Sequence, residues 1–185
     1  MLNDENHAHH SGGSGQEGER MDERVKEAFY KVYEGEAKAA LRLKLFANEA
    51  EQEGFPQIAQ LFRVIAYSEE IHGERALRML REIKGTETNL KESFGSETRI
   101  AGVAYDHFVK LATEAGDDAS ATIFSHSKDV EDVHANLYKK AMDHLMEERE
   151  TTYYVCRVCG YVADGIWPDV CPVCSAPRVQ FVEFK

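Results

Sequence analysis

Between Met21 and about Glu150, apolar residues recur at helical spacing, and the rhythm breaks near Gly54-Phe55-Pro56, Gly85 and Gly116-Asp117-Asp118. The spacing predicts four helices, over about 22–53, 56–84, 89–115 and 117–148. In the second helix Ile58, Leu61, Phe62, Ile65, Ala76, Met79, Leu80 and Ile83 form one apolar stripe, with Glu69 and His72 inside it. Phe29, Val32, Leu43 and Phe46 flank Glu36 in the first helix in the same way. Leu90, Phe94, Ala104, Phe108 and Leu111 flank Glu97, and Ile123, Phe124, Tyr138 and Leu145 flank Glu131 and His134.

The two ends of the chain follow other rules. Residues 1–20 are rich in Gly, Ser, Glu and His and hold too little apolar surface for a core, so they are expected to be a disordered tail. His7, His9 and His10 offer at most loose metal binding there. Residues 151–185 carry prolines, aromatic residues and all four cysteines, without a helical period. The expected organisation is therefore a tail (1–20), a helical domain (21–150) and a small cysteine module (151–185).

The polar residues inside the stripes repeat. Glu36 precedes Glu69 by 33 positions and Glu97 precedes Glu131 by 34, and Glu69/His72 and Glu131/His134 are both Glu-x-x-His. At i, i+3 the carboxylate and imidazole share one helix face. Measured from the Gly54 turn, Glu36 lies 18 residues back and Glu69 15 forward, so at 1.5 Å per residue they are level within about 5 Å. Carboxylates on an apolar stripe cost several kcal/mol unless paired or metal-bound, and the stripes carry no Lys or Arg to neutralise them. One Glu from each of two helices, with Glu-x-x-His from each of the other two, is the ligand set of ferritin-like di-iron bundles. Glu36, Glu69, His72, Glu97, Glu131 and His134 are thus the candidate ligands of a two-metal site, with Glu69 and Glu131 as the expected bridging carboxylates.

Cys156/Cys159 and Cys171/Cys174 form two CxxC knuckles separated by 11 residues. Four thiolates so spaced make a tetrahedral site that suits iron or zinc, and the spacing leaves that choice open. Gly160 supplies a turn that lets backbone N–H groups point at sulfur, and Tyr154, Tyr161, Trp167 and Phe181 are the candidate apolar cover.

Composition narrows the partners. A net charge of −11 argues against nucleic-acid binding, and no stretch approaches the roughly 20 apolar residues of a membrane span. Without a basic-then-apolar leader, and with cysteines grouped for metal, the expected location is the reducing cytoplasm.

The chain resembles the rubrerythrin family from about residue 24 to 185. The resemblance runs through YEGEAKAALR, EAEQEGFPQIAQLFRVIAYSEEIH and VEDVHANLYKKA in the helical part, then VCRVCGYVADG, CPVC and FVEF in the module. It implies an all-α ferritin-like four-helix bundle holding a non-haem di-iron centre, followed by a rubredoxin-like domain holding one iron. It also implies a peroxidase that reduces hydrogen peroxide to water, fed from a reduced pyridine nucleotide, NAD(P)H, through a separate reductase or rubredoxin. Tyr105 matches a family tyrosine close to the metals and is the candidate catalytic residue; a core tyrosine with a satisfied hydroxyl is the other reading. One position departs from the family, where a further Glu usually stands three residues after the third-helix ligand: here Ile100 follows Glu97 at that spacing. The site then resembles bacterioferritin-type ferroxidase centres, so iron handling is the second functional reading. A metal-binding protein with zinc in one or both sites is the third.

Chain length bears on assembly. In a ferritin-like bundle the second and third helices run parallel, which asks for a crossover on the order of 35–40 Å. The non-helical stretch from Gly85 to about Asn89 reaches at most roughly 18 Å. Either the bundle is a simple up-down series or helices are exchanged between chains. A domain-swapped homodimer, which short-linker rubrerythrins resemble, is the expectation.

Overall fold

The computed structural model describes residues 21–145 and 151–185. The predicted tail and His7, His9 and His10 lie outside the described residues. The chain forms two compact units, divided between Ile83 and Lys84.

The first unit is a hairpin of α1 (Glu23–Gln52) and α2 (Pro56–Met79). Asp22 caps α1, its carboxylate accepting the Arg24 N–H at 2.8 Å. Gly54, at φ +82°, turns the chain where a side chain would be strained, and Pro56 opens α2 at a position that needs no N–H. The buried seam consists of Ala40, Ala47 and Ala50 on α1 and Ala59, Ala66, Gly73 and Ala76 on α2. Ala59, Ala66 and Gly73 recur every seven residues, so small side chains bring the two helices close along their length. Of the large stripe residues, Ile58, Leu61, Ile65, Met79 and Ile83 are exposed in this chain, a difference from the stripe read as a core. The helices meet edge-on through alanines, which leaves the larger side chains on an outward face.

α2 ends earlier and the next helix starts earlier than the spacing predicts. Arg81 takes a left-handed φ of 57°, which stops α2. The Asn89 side chain then closes the following turn, accepting the Lys84 N–H at 3.1 Å and donating to the Lys84 carbonyl at 2.9 Å. Asn89 therefore sits within the first turns of a helix rather than at its start.

In the second unit α3 (Thr86–Arg99), a π-helical segment (Ile100–Tyr105) and α4 (Asp106–Glu114) run on without a break, and α5 (Asp118–Asp143) returns beside them. Gly116 turns the chain at φ +71°, and Asp117 caps α5 by accepting from the Ser120 N–H at 2.9 Å. Ala101, Ala112, Val130 and Ala135 are the buried residues of this hairpin. The cysteine module follows as a three-stranded antiparallel sheet of order β2-β1-β3, from β1 (Tyr153–Cys156), β2 (Val162–Asp164) and β3 (Phe181–Phe184). Cys156, Cys171, Ala176 and Phe181 form its core. Tyr154 stacks on Trp167 at 5.2 Å and Tyr161 meets Phe181 edge-on at 6.5 Å; of the four expected cover residues, Tyr154 and Tyr161 pack against the core, Phe181 is part of it and Trp167 is exposed.

Candidate metal centres

The structure brings the ten ligand candidates together in three groups, and within each group the donor atoms lie within 4.8 Å of one another. The groups are Glu36/Glu69/His72, Glu97/Glu131/His134 and the four cysteines.

The first triad belongs to the α1–α2 hairpin. Glu69 Oε2 lies 3.0 Å from His72 Nδ1, as one turn of helix dictates, and Glu36 Oε1 on the facing helix lies 3.9 Å from the same nitrogen. A Cβ built on Gly73 would stand 3.8 Å from the Glu36 Cβ, so glycine lets α2 approach α1 at the height of the ligands. A cleft of about 420 Å³ opens beside Glu36 and His72, lined also by Phe29, Val32, Ala76, Met79 and Arg75. Arg75, one turn beyond His72, is a cation absent from the stripe reading. The imidazole of His72 is about half exposed, at 48%.

The second triad is built alike and surrounded differently. Glu131 Oε2 lies 3.1 Å from His134 Nδ1, and the His134 side chain is only 28% exposed. Burial raises the Glu97 carboxyl, and the neighbouring Glu131 carboxylate raises it further against the pull of His134, to about 7. A nearby cation would relieve the burial and the repulsion that raise Glu97. The other ring nitrogen, His134 Nε2, lies 3.4 Å from the Gly160 carbonyl oxygen, at the long end of hydrogen bonding. A carbonyl can only accept, so Nε2 carries the hydrogen and donates it. With Nε2 so engaged, Nδ1 faces the Glu131 carboxylate, donating to it when the ring is protonated and offering its lone pair to a metal when the ring is neutral. Either a proton or a metal ion can sit between Nδ1 and the Glu131 carboxylate, and an imidazole whose outer N–H is held by a carbonyl is the usual support of a metal-bound histidine.

Two features of this region escaped the sequence reading. One is the Gly160 carbonyl. The other is the π-helical turn, which begins at Ile100, three residues after Glu97, and ends at Tyr105. Tyr105 packs edge-on against Phe108 at 5.9 Å and lies 6.4 Å from Phe124, and its hydroxyl has no hydrogen-bond partner among the described residues.

In the module Cys156 and Cys174 bring their sulfurs to 3.8 Å, and Cys159 and Cys171 to 3.6 Å. Burial opposes ionisation of Cys156, but the N–H groups of Cys159 and Val158 outweigh it and hold the thiol below its ordinary value. Burial drives the Cys159 thiol strongly upward, with the Tyr161 N–H as the main opposing influence. Backbone N–H groups do point at sulfur, as the Gly160 turn suggested. Four crowded sulfurs suit one metal ion, and hard carboxylates with two imidazoles suit iron in either oxidation state.

The rubrerythrin family model matches residues 27–142, and that of the rubredoxin-like domain of rubrerythrin matches residues 154–182. Rubrerythrin-2 of Clostridium acetobutylicum is 27% identical, over 83% of this chain and 92% of the relative. Rubrerythrin of Nitratidesulfovibrio vulgaris is 28% identical, over 81% of this chain and 88% of the relative. The structure of nigerythrin in its partially reduced state superposes with a TM-score of 0.54 at 25% identity, covering 86% of each chain. A ferritin-like helical domain carrying di-iron ligand candidates, joined to a four-cysteine rubredoxin-like domain, defines the class. The chain belongs to the rubrerythrin family.

Proposed function

We propose that this chain is a non-haem di-iron peroxidase that reduces hydrogen peroxide to water, with electrons relayed through an iron at Cys156, Cys159, Cys171 and Cys174. At the coarser level the family is one of oxidoreductases tied to peroxide and oxidative stress. The observation that carries the finer reading is the hydrogen bond from His134 to Gly160, which links a carboxylate triad to the residue after Cys159. Bound iron would supply the redox chemistry: two ferrous ions hold the two electrons that cleaving one O–O bond takes, and an iron at four thiolates passes electrons singly. Glu36, Glu69 and His72 would hold one side of the metal pair and Glu97, Glu131 and His134 the other. Each peroxide takes two electrons and two protons to yield two waters. Tyr105, its ring steadied by Phe108 and Phe124, offers a hydroxyl that can hydrogen-bond peroxide or a ligand carboxylate. The electron source is NAD(P)H, through a separate reductase or rubredoxin, and the setting is the cytoplasm. None of the described helices is long and apolar enough to cross a membrane.

The working unit is a domain-swapped homodimer. From Glu69 to the end of α2 at Met79 is ten residues, and from the start of α3 at Thr86 to Glu97 is eleven, or roughly 15 and 16 Å of helix. A parallel α2 and α3 within one chain would ask the connector 80–85 to span both lengths, yet six residues reach at most roughly 22 Å. The exposed Leu61, Val64, Tyr67 and Ile83 of the first unit offer a second copy the apolar face it would cover.

Reconstituted protein should consume hydrogen peroxide at the expense of NADH when a rubredoxin and its reductase are supplied. Cys174→Ser should lose that turnover even when the carboxylate ligands are loaded at saturating iron. Unchanged turnover in Cys174→Ser would remove the relay from the reading. Ile100 favours one competitor, a ferroxidase without the extra carboxylate. Faster consumption of dioxygen than of peroxide by the ferrous protein would establish it instead.

A further inference from the structure

We propose that the four-thiolate site and the Glu97/Glu131/His134 triad bind metal cooperatively, with the Cys159–Gly160 turn as the mechanical link. This rests on the reading of those three residues as metal ligands.

The link is short and its parts are named. Cys156 and Cys159 stand at either end of one knuckle, and Gly160 closes it at φ +85°, donating its N–H to the Cys156 carbonyl at 2.9 Å. The Cys156 N–H in turn donates to the Tyr161 carbonyl at 2.9 Å. The Gly160 carbonyl is therefore aimed by a turn whose ends are two sulfur ligands. A Cβ on Gly160 would stand 3.7 Å from Val130 of α5, a buried residue one turn before His134, so the knuckle also rests on the helix that carries the triad.

A metal at the four sulfurs fixes that turn. Fixing it aims the carbonyl at His134 Nε2 and holds the ring with its Nδ1 lone pair toward Glu131. Without that metal the knuckle is freer, and the triad must order its own imidazole when it binds. Coupling of this kind is reciprocal: metal at the triad must tighten metal at the thiolates by the same factor. The other triad supplies an internal control. Among the described residues the polar partners of His72 are Glu36 and Glu69 alone, so nothing ties its ring to the knuckle.

The test uses two metals that sort themselves, Zn²⁺ for thiolates and Mn²⁺ for oxygen-rich sites. Mn²⁺ binding, read by electron paramagnetic resonance, is compared in reduced full-length protein with and without one equivalent of Zn²⁺ at the cysteines. Zinc should tighten Mn²⁺ binding about tenfold, the scale of an outer-shell histidine partner. The zinc effect should vanish in His134→Ala and persist in His72→Ala. If His134→Ala does not fold, the wild type still decides: Mn²⁺ at a filling concentration should slow zinc capture by a chromogenic chelator. Equal Mn²⁺ affinity with and without zinc, or a zinc effect that survives in His134→Ala, overturns the coupling and leaves the ligand assignment standing. Failure of Mn²⁺ to bind either form overturns both.

Discussion

The two triads are spelled with the same residue types, each with a Glu-x-x-His pair, yet they are held in different ways. In the first, His72 is half exposed and its polar contacts are the two carboxylates. In the second, His134 is more buried and its outer nitrogen is held by the Gly160 carbonyl. Burial and Glu131 raise Glu97 to about 7, whereas Gly73 lets the backbones of α1 and α2 approach beside Glu36. Duplication of a ligand pattern thus need not duplicate its environment. The second triad is the more buried and the more tightly held; the first is more open.

The largest expected effect removes one side of the pair. Glu131→Ala should abolish the electronic signature of a coupled iron pair while sparing the iron–thiolate colour; a variant with full iron pairing and peroxide turnover would show that Glu131 is no ligand. Mixing chains that lack Glu36 and Glu69 with chains that lack Glu97 and Glu131 then asks where the triads meet. A swapped heterodimer regains one intact site of its two, and no recovery of iron after co-refolding would end the swapped arrangement.

Next in size comes the contrast between the histidines. His134→Gln should weaken iron binding at the carboxylate ligands by more than about tenfold, the scale of losing an outer-shell partner alone, since it removes both a proposed ligand and the held ring. His72→Gln should cost less, and equal losses in an iron competition assay would mean the two environments do not differ in effect.

A smaller effect follows from Glu97. Its folded value of about 7 lies above the ordinary carboxyl value of 4.5. A carboxyl raised on folding binds more protons in the native state, so its favourable contribution is complete below 4.5 and is lost as pH rises through about 7. The metal-free protein should therefore lose thermal stability between pH 5 and pH 8, and Glu97→Gln should flatten that decline. A metal-free wild type that gains stability over this range relative to Glu97→Gln would contradict the placement of Glu97 against Glu131.

The smallest expected effect belongs to Gly73. The nearest contact of an added Cβ is an ordinary 3.8 Å, so Gly73→Ala should leave the melting temperature nearly unchanged or raise it slightly. Gly73→Leu should cost about 1–3 kcal/mol by forcing α2 off α1, and should lower metal affinity at the first triad with it. Equal behaviour of the two variants would show that close helix approach is not required there.

Much of this was legible in the sequence because it is written in side chains. Gly54 and Gly116 punctuate the helices as the only kind of residue at ease where the chain turns left-handed. Glu69/His72 and Glu131/His134 announce a shared face by spacing alone. The features that were hidden are of other kinds. The hairpin seam runs through Ala47, Ala59 and Ala66, small residues that a stripe of large apolar side chains conceals. The π-helical turn at Ile100–Tyr105 interrupts no apolar pattern, and its single Gly102 does not distinguish it from an ordinary helical turn. Gly160 acts through a carbonyl that every residue possesses, so only the fold shows what it accepts. Arg81 gave no warning either, since an arginine carries no signal for a left-handed φ.

The most direct test is the iron content and spectroscopy of the anaerobically reconstituted protein. The expected result is about three irons per chain, two behaving as one coupled pair after oxidation and one giving the red colour of iron bound to four thiolates. A colourless protein with zinc at the cysteines, or iron that is present only as isolated single ions, would contradict the claim that the two triads together hold a metal pair fed by the cysteine module.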